Sequence, residues 1–265
     1  MIVKDILDCI TEIAPLHWQE SYDNAGLQVG DLNAEAYKTL ICLDITEEVV
    51  DEAIAKNCNV IVSHHPLIFR ELKHLTLETY IERAVMKAIK HDIAMISMHT
   101  NLDNSYLGVS RVLAERLGLK NLHILQPSLN EPEVCGAGMI GVFEKPMEEV
   151  EFLQLVSETI GSPCLRHSAF TGRKIQKVAL CGGSGSPFMG DALRNRADAY
   201  LTADIKYHDF FVPEGNILLV DGGHFETEQF TKELICELIR KKFPTFAAEI
   251  AETRTNSVFY FVNNK

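Results

Sequence analysis

The sequence lacks the features of several specialised classes of protein. Its 265 residues contain no apolar run that approaches the roughly 20 residues needed to cross a bilayer. Its seven cysteines form no Cys-x-x-Cys pair, and the first apolar stretch carries Asp5 and Asp8, which a signal peptide would not. We therefore expect a cytoplasmic protein with no membrane association, whose cysteines are small buried side chains rather than disulfides or metal ligands.

Basic residues are also scarce. The chain has 25 Lys and Arg residues against 37 Asp and Glu residues, which gives a net charge of −12. A surface this acidic repels phosphate backbones and anionic lipids, so nucleic acid is not an expected partner. Hydrophobic residues make up 46% of the chain and charged residues 23%, as in an ordinary globular protein.

Apolar periodicity predicts helices that alternate with buried strands along the whole chain. The first helix covers residues 3–14, ends at Pro15, and is followed by predicted strands at 39–45, 59–63 and 93–98. The second half repeats the alternation from a strand at 138–143 to a long helix at 226–241, and it ends with short strands at 246–250 and 258–262. This pattern predicts an α/β protein with largely parallel sheets.

A boundary between two halves is expected near the segment Gln126-Pro-Ser-Leu-Asn-Glu-Pro132, which is polar and rich in residues that break regular structure. The predicted halves are residues 1–127 and 128–265. A chain of this length is near the upper limit for one hydrophobic core, so a single structural unit is the alternative to two halves.

Three predicted strands are each followed by histidine residues, and two of them also by a carboxylate. In chain order these residues are His64 and His65, His99 and Asp103, and His224 and Glu228. Because parallel strands end at the same edge of a sheet, we expect these side chains to lie together. His224 and Glu228 are four residues apart on a predicted helix and therefore share one face.

The residue types indicate a metal site. Five of these residues are candidate ligands, namely His64, His65, Asp103, His224 and Glu228. That is too many for one catalytic zinc, but it fits two divalent ions bridged by Glu228, with Zn, Fe, Mn, Co or Ni as candidates. Taken singly, each residue has an ordinary alternative, since His224 could cap a helix and Asp103 could be a loop carboxylate.

Other polar residues at the predicted edge are candidates for supporting roles. His99, Tyr207 and His208 could move protons, while Asp44 could orient a ligand imidazole or cap the following helix together with Thr46. The turn Gly182-Gly-Ser-Gly185 could hold an anion on its backbone N–H groups, or it could simply be a tight turn.

Six short motifs resemble those of the Nif-like dinuclear metal-centre family, also known as the GTP cyclohydrolase 1 type 2 family. They are Asp23-Asn-Ala-Gly-Leu-Gln28, Ser63-His-His-Pro-Leu67, His99-Thr-Asn-Leu-Asp103, Cys181-Gly-Gly-Ser-Gly185, Ala203-Asp-Ile-Lys-Tyr-His208 and Asp221-Gly-Gly-His-Phe-Glu-Thr-Glu228. The resemblance implies two similar intertwined α/β/α halves and two divalent metals on the five residues identified above. It also implies a ring-shaped homohexamer whose metal sites face an inner cavity. The chain has no room for the domain that longer members insert between the halves.

The resemblance and the predicted metal site lead to a hypothesis of a metal-dependent hydrolase acting on a small molecule, with opening of the purine ring of GTP as the reaction that the family name implies. A non-catalytic metal-binding scaffold, or a ring that holds a partner, is the alternative. A ring that guides single-stranded nucleic acid is a third hypothesis, and the net charge of −12 weighs against it.

Overall fold

The computed structural model describes residues 1–261 and divides the chain into two units. Unit 1 comprises Met1–Leu102 and Thr231–Thr255, and unit 2 comprises Asp103–Phe230 and the chain from Asn256. The chain therefore passes from one unit to the other three times. The boundary expected at residues 127/128 falls inside unit 2, at the end of one of two strands that pair with each other.

Helices and strands alternate along the described residues. The helices are α1 (Val3–Thr11), α2 (Glu47–Ala55), α3 (Tyr80–Lys90), α4 (Thr100–Asp103), α5 (Val109–Arg116), α6 (Glu149–Ile160), α7 (Met189–Arg194), α8 (His224–Glu228) and α9 (Thr231–Lys242). The strands are β1 (Gly26–Val29), β2 (Lys38–Cys42), β3 (Val60–Ser63), β4 (Ala94–Ser97), β5 (Lys120–Pro127), β6 (Gly136–Met147), β7 (Arg166–His167), β8 (Ile175–Leu180), β9 (Ala199–Thr202), β10 (Leu218–Asp221) and β11 (Ala247–Ile250). The α/β prediction is confirmed, and between residues 1 and 261 no helix is both long and apolar enough to span a membrane.

Unit 1, all of whose residues are described, contains a five-stranded sheet in the order β1-β4-β3-β2-β11. Strands β4, β3, β2 and β11 are parallel, and β1 is antiparallel to β4 at the edge. Apolar side chains of this sheet pack against α2 and α3, and Ile61, Val49 and Ala84 are fully buried there. Thr46 caps α2, because its hydroxyl accepts a hydrogen bond from the N–H of Val49 at 3.3 Å.

Unit 2 contains, among its described residues, a six-stranded sheet in the order β5-β6-β8-β9-β10-β7. Strands β8, β9 and β10 are parallel, whereas β5, β6 and β7 pair in antiparallel fashion with their neighbours. The second sheet is therefore mixed, with its parallel part restricted to three strands. Phe152 and Val156 of α6 are fully buried among the apolar side chains of this unit.

Two local predictions are corrected by the structure. The long helix expected at 226–241 is two helices, α8 and α9, separated by Gln229 and Phe230. Of the strand expected at 258–262, residues 258–261 form no strand, and Val262 lies outside the described residues.

Candidate metal centre

In unit 1, polar side chains follow the carboxyl ends of three adjacent parallel strands. The register pairs Cys42 with Ser63 and Ser63 with Ser97, so that β2, β3 and β4 end at the same level. Asp44 follows β2, His64 and His65 follow β3, and His99 follows β4, as the sequence predicted. The sheet therefore brings these side chains to one edge.

His64 and His65 are both held through Nδ1. The Nδ1 atom of His64 lies 2.8 Å from the carbonyl oxygen of Met98, and since a carbonyl only accepts, this nitrogen is the donor. His65 bonds through Nδ1 to Oδ1 of Asp44 at 2.7 Å, and the other oxygen of Asp44 accepts from the hydroxyl of Thr255. Burial opposes ionisation of Asp44, but these hydrogen bonds and the nearby imidazoles outweigh it and lower its pKa. Asp44 therefore orients His65.

His99 is held in the same way by Asp23. Its Nδ1 atom lies 2.7 Å from Oδ1 of Asp23, and the N–H of Thr100 donates to Oδ2 of Asp23 at 2.9 Å. Burial opposes ionisation of Asp23, yet its hydrogen bonds from His99 and Thr100 outweigh burial and lower its pKa to about 2. Asp23 lies in one of the six motifs, but nothing local to residue 23 indicates a partner at residue 99, so its role could not be predicted from the sequence.

The three histidines of unit 1 form a cluster that could hold a metal ion. One ring nitrogen of each of His64, His65 and His99 lies within 4.8 Å of the others. The ring centroids of His64 and His65 are 4.7 Å apart, and each is 5.4 Å from that of His99. Because each Nδ1 is bonded to an oxygen, Nε2 is the nitrogen of each ring that is suited to bind a metal.

In unit 2, the segment after β10 carries the second set of donors. Nε2 of His224 lies 3.0 Å from Oε2 of Glu228, which confirms that the i, i+4 spacing places both on one face of α8. Nδ1 of His224 is 2.7 Å from Oδ2 of Asp204. Burial disfavours the charged imidazolium, but the hydrogen bonds and charges of Asp204 and Glu228 outweigh it and raise the pKa of His224 to about 11. This negative environment suits a cation.

The Gly182–Gly185 turn packs against Glu228. Gly183 has a φ of +61°, and a Cβ placed there would lie 2.0 Å from Oε1 of Glu228, so this position requires glycine. The N–H groups of Gly182, Gly183 and Gly185 donate to the hydroxyls of Ser110, Thr227 and Thr202 respectively. These three N–H groups are therefore used within the fold, which favours the tight-turn interpretation over an anion site.

Asp103 ends α4 and is the first residue of unit 2. The thiol of Cys181 is buried, and burial together with the negative charges of Asp103 and Glu228 raises its pKa. Asp103 and Glu228 therefore both lie near Cys181. The rings of Tyr207 and His208 lie 5.2 Å apart on a short 3₁₀ helix, Tyr207–Phe211, beside the ring of Phe211. Their proposed roles in proton transfer stay predictions.

The donor chemistry of both units fits divalent metal ions. Imidazole nitrogens and carboxylate oxygens are ligands for Zn, Fe, Mn, Co and Ni, and His and Glu clusters of this kind could hold a metal ion. The fold and these side chains define an α/β protein with a candidate metal centre at the carboxyl ends of parallel strands.

Comparison with known proteins gives the family. The model of the Duf34/NIF3 (NGG1p interacting factor 3) family matches residues 1–257, and the chain belongs to this family. A Clostridium perfringens protein named "GTP cyclohydrolase 1 type 2 homolog" is 34% identical over 265 residues, which cover 99% of this chain and 100% of that protein.

Solved structures share the fold. A Staphylococcus aureus hypothetical protein is 28% identical, with a TM-score of 0.91 over 98% of this chain and 99% of that one. A Bacillus cereus protein related to NIF3 is 24% identical, with the same TM-score and coverage. The family suggested by the six sequence motifs is thus confirmed.

Proposed function

We propose that the chain binds two divalent metal ions in one centre with five protein ligands, namely His64, His65, Asp103, His224 and Glu228. The observation that carries this proposal is the fixed orientation of the imidazoles. His64, His65 and His224 each bond through Nδ1 to an oxygen atom, which is how histidine ligands of metals are usually held. Glu228 is the proposed bridge, because both oxygens of a carboxylate can bind.

The path of the chain supports a single centre. Each of the three passages between the units adjoins donors or residues that orient them. Asp103 directly follows the first passage, and Glu228 lies two residues before the second. At the third passage, Thr255 bonds to Asp44 and the next residue, Asn256, bonds to Glu226 of α8 at 2.8 Å. This proximity in sequence between the donors and the passages supports the proposal of one centre.

The proposed reaction class is hydrolysis of a small molecule, with opening of a purine ring, as in the name of the Clostridium perfringens relative, as the specific case. When bound, divalent metals polarise an electrophile and allow water to act as a nucleophile near neutral pH. His99 is held by Asp23 with Nδ1 as the donor, so its Nε2 is the atom that accepts a proton and returns it. Tyr207 and His208 are further candidate proton donors.

The proposed assembly is a ring-shaped homohexamer in the cytoplasm. Aromatic side chains near the end of the described chain, Phe259 and Phe261, are 84% and 94% exposed and are suited to contacts between subunits. All seven cysteines, which lie within the described residues, are free thiols, in agreement with a reducing compartment. Light scattering during size-exclusion chromatography tests the assembly, and a mass other than six chains would contradict it.

Metal removal and restoration test the proposed activity. Protein purified without chelator is expected to contain more than one metal equivalent per chain by elemental analysis. It is then screened against nucleotides, phosphoesters and cyclic amides before chelation, after chelation, and after each metal is restored. Turnover that disappears and returns with metal supports the hydrolase. A fully loaded protein without turnover supports the scaffold alternative. If the protein holds one metal equivalent per chain, and this content does not rise when metal is added, the dinuclear centre is contradicted.

A further inference from the structure

Two exposed aromatic side chains lie beside the histidine cluster of unit 1. The ring of Phe69 is 6.1 Å from the ring of His99, edge-to-face at 80°, and 6.4 Å from the ring of Tyr22 at 60°. Phe69 is 44% exposed and Tyr22 is 64% exposed. Large aromatic side chains are usually buried or paired with a partner, so two exposed rings next to candidate catalytic groups require an explanation.

The backbone beside each ring is fixed by the motif at residues 23–28. The N–H of Ile68, directly before Phe69, donates to Oε1 of Gln28 at 2.9 Å, and Nδ2 of Asn24 donates to the carbonyl of Ile68 at 2.6 Å. Tyr22 directly precedes Asp23, whose carboxylate holds His99. One short segment therefore positions His99, carries Tyr22 and fixes the chain at Phe69. Such positioning reduces the entropy lost when a ligand binds.

We propose that Tyr22 and Phe69 bind the flat heteroaromatic ring of the substrate and thereby set the specificity of the metal site for ring-containing compounds. This inference rests on the proposed function, because it takes the metal centre as the place of reaction. Stacking on aromatic side chains accepts any flat ring, which makes these residues determinants of substrate class rather than of one particular base.

Charge near the pair favours an anionic group on the same ligand. Arg70 and Lys73 follow Phe69 and are both exposed, and Glu71 is the acidic residue between them, which leaves this short segment basic in a chain of net charge −12. A basic segment attracts an anion even though the chain as a whole is acidic. A nucleotide combines both features, since it carries a flat base and phosphate groups.

Matched probes separate binding of the ring from binding of the phosphates. Equilibrium dialysis of the metal-loaded full chain compares GTP, ATP and UTP with inorganic tripolyphosphate, which has the same phosphate chain and no ring. We expect Tyr22→Leu and Phe69→Leu each to weaken nucleotide binding about five-fold or more while tripolyphosphate binding and metal content stay unchanged. Phe69→Tyr keeps a ring and is expected to keep nucleotide binding.

The control variant is Tyr37→Leu. Tyr37 is 57% exposed and lies directly before β2, at the amino end of the strand, whereas Asp44 follows its carboxyl end. This change removes a ring of intermediate exposure from the opposite end of the parallel strands and is expected to alter no binding.

Two results overturn the proposal. One is a wild-type protein that binds none of the three nucleotides more tightly than tripolyphosphate. The other is that Tyr22→Leu and Phe69→Leu both bind nucleotides as tightly as the wild-type protein does. Elemental analysis tests the metal proposal separately. If it finds no metal, the preference for ring-containing ligands is measured on metal-free protein with the same variants.

Discussion

The imidazole of His99 and the carboxylate of Asp23 are joined by a 2.7 Å hydrogen bond between Nδ1 and Oδ1, although 75 residues separate them in the chain. The side chain of Asp23 is fully buried, and its pKa is lowered to about 2, so it is ionised at neutral pH and accepts the hydrogen bond. His65 with Asp44 and His224 with Asp204 repeat this arrangement. A carboxylate thus orients each of the three rings and holds a proton on its Nδ1.

Asp23→Asn tests the role of this carboxylate as a positioning group. Asparagine keeps the size but loses the charge that favours a proton on Nδ1, so we expect His99 to become a mixture of tautomers. Long-range ¹H–¹⁵N NMR of metal-free protein measures this directly. Metal content is expected to stay unchanged, and turnover to fall about a hundredfold or more, the usual range for lost acid–base catalysis.

The matched control for this change is Asp51→Asn on α2, where Asp51 is exposed and pairs with the side chain of Lys87 at 2.6 Å. It is expected to leave the His99 signals and turnover unchanged. A wild-type His99 that carries its proton on Nε2 would contradict the assigned orientation.

Glu228→Gln tests the proposed bridge. Glutamine keeps the size and removes one charge, and two dications a few ångströms apart repel each other strongly without it. We therefore expect lower occupancy of at least one metal position by elemental analysis, and no hydrolytic activity. The fold is expected to survive, because Glu228 ends the five-residue helix α8 and is not part of the long helix expected from the sequence. Its melting temperature is measured alongside.

Glu158→Gln, at an exposed position on α6, is the control for the loss of one negative charge. It is expected to keep metal, turnover and melting temperature. A Glu228→Gln protein with both metals and full turnover would show that another group forms the bridge.

Glu52 is expected to make the stability of unit 1 dependent on pH. It accepts hydrogen bonds from the hydroxyl of Thr253 at 2.6 Å and from the N–H groups of Glu252 and Thr253 at 2.8 and 2.9 Å, and it pairs with Lys56 at 2.9 Å. Burial opposes its ionisation, but these contacts outweigh burial and lower its pKa from 4.5 to about 2. The ionised form therefore stabilises the fold above about pH 4.5, and this contribution is lost as the pH falls towards 2.

Glu52→Gln should accordingly lower the free energy of unfolding by about 1–2 kcal/mol at pH 7. The difference from wild type should shrink between pH 4.5 and the lowest pH at which the protein stays folded. Urea denaturation at several pH values measures this, with Glu237→Gln on the exposed face of α9 as the control. A difference that is constant with pH would contradict the assigned role of the charge.

The cysteines are expected to differ in reactivity. Cys164 is exposed and the other six are buried, and burial raises the pKa of the thiols of Cys9, Cys58 and Cys236. Because the thiolate is the reactive form, native protein should show one fast thiol, and Cys164→Ser should remove it. Denatured, unreduced protein should show all seven. Two or more missing thiols in fresh protein would indicate a disulfide.

Local periodicity predicted much of the fold. The strands β3 and β4 lie within one residue of their expected ends, and Thr46 caps α2, because buried apolar runs and capping residues act over short distances. The pairing of strands with one another could not be predicted in this way. The hairpin of β5 and β6 is an example, since its turn has the same Pro-rich, polar composition as a linker between domains.

At the candidate site, too, local features could be predicted from the sequence and tertiary contacts could not. Histidines and carboxylates that follow predicted parallel strands, such as His64, His65 and His99, could be found from their positions alone. Asp23 and Asp204 could not, because they act on histidines 76 and 20 residues away. The close approach of Gly183 to Glu228 also depends on tertiary structure, and no feature of the Gly-rich turn itself reveals it.

Because the two units are discontinuous in sequence, the order in which the chain is synthesised affects how they fold. Strand β11 pairs in parallel with β2, but more than 200 residues of chain lie between them, and all strands of unit 2 are made first. On the ribosome, β2 therefore remains an edge strand, open to wrong pairing, until residues 247–250 emerge. A nascent chain that stalls before β11 should accordingly depend on chaperones more than one that stalls after it.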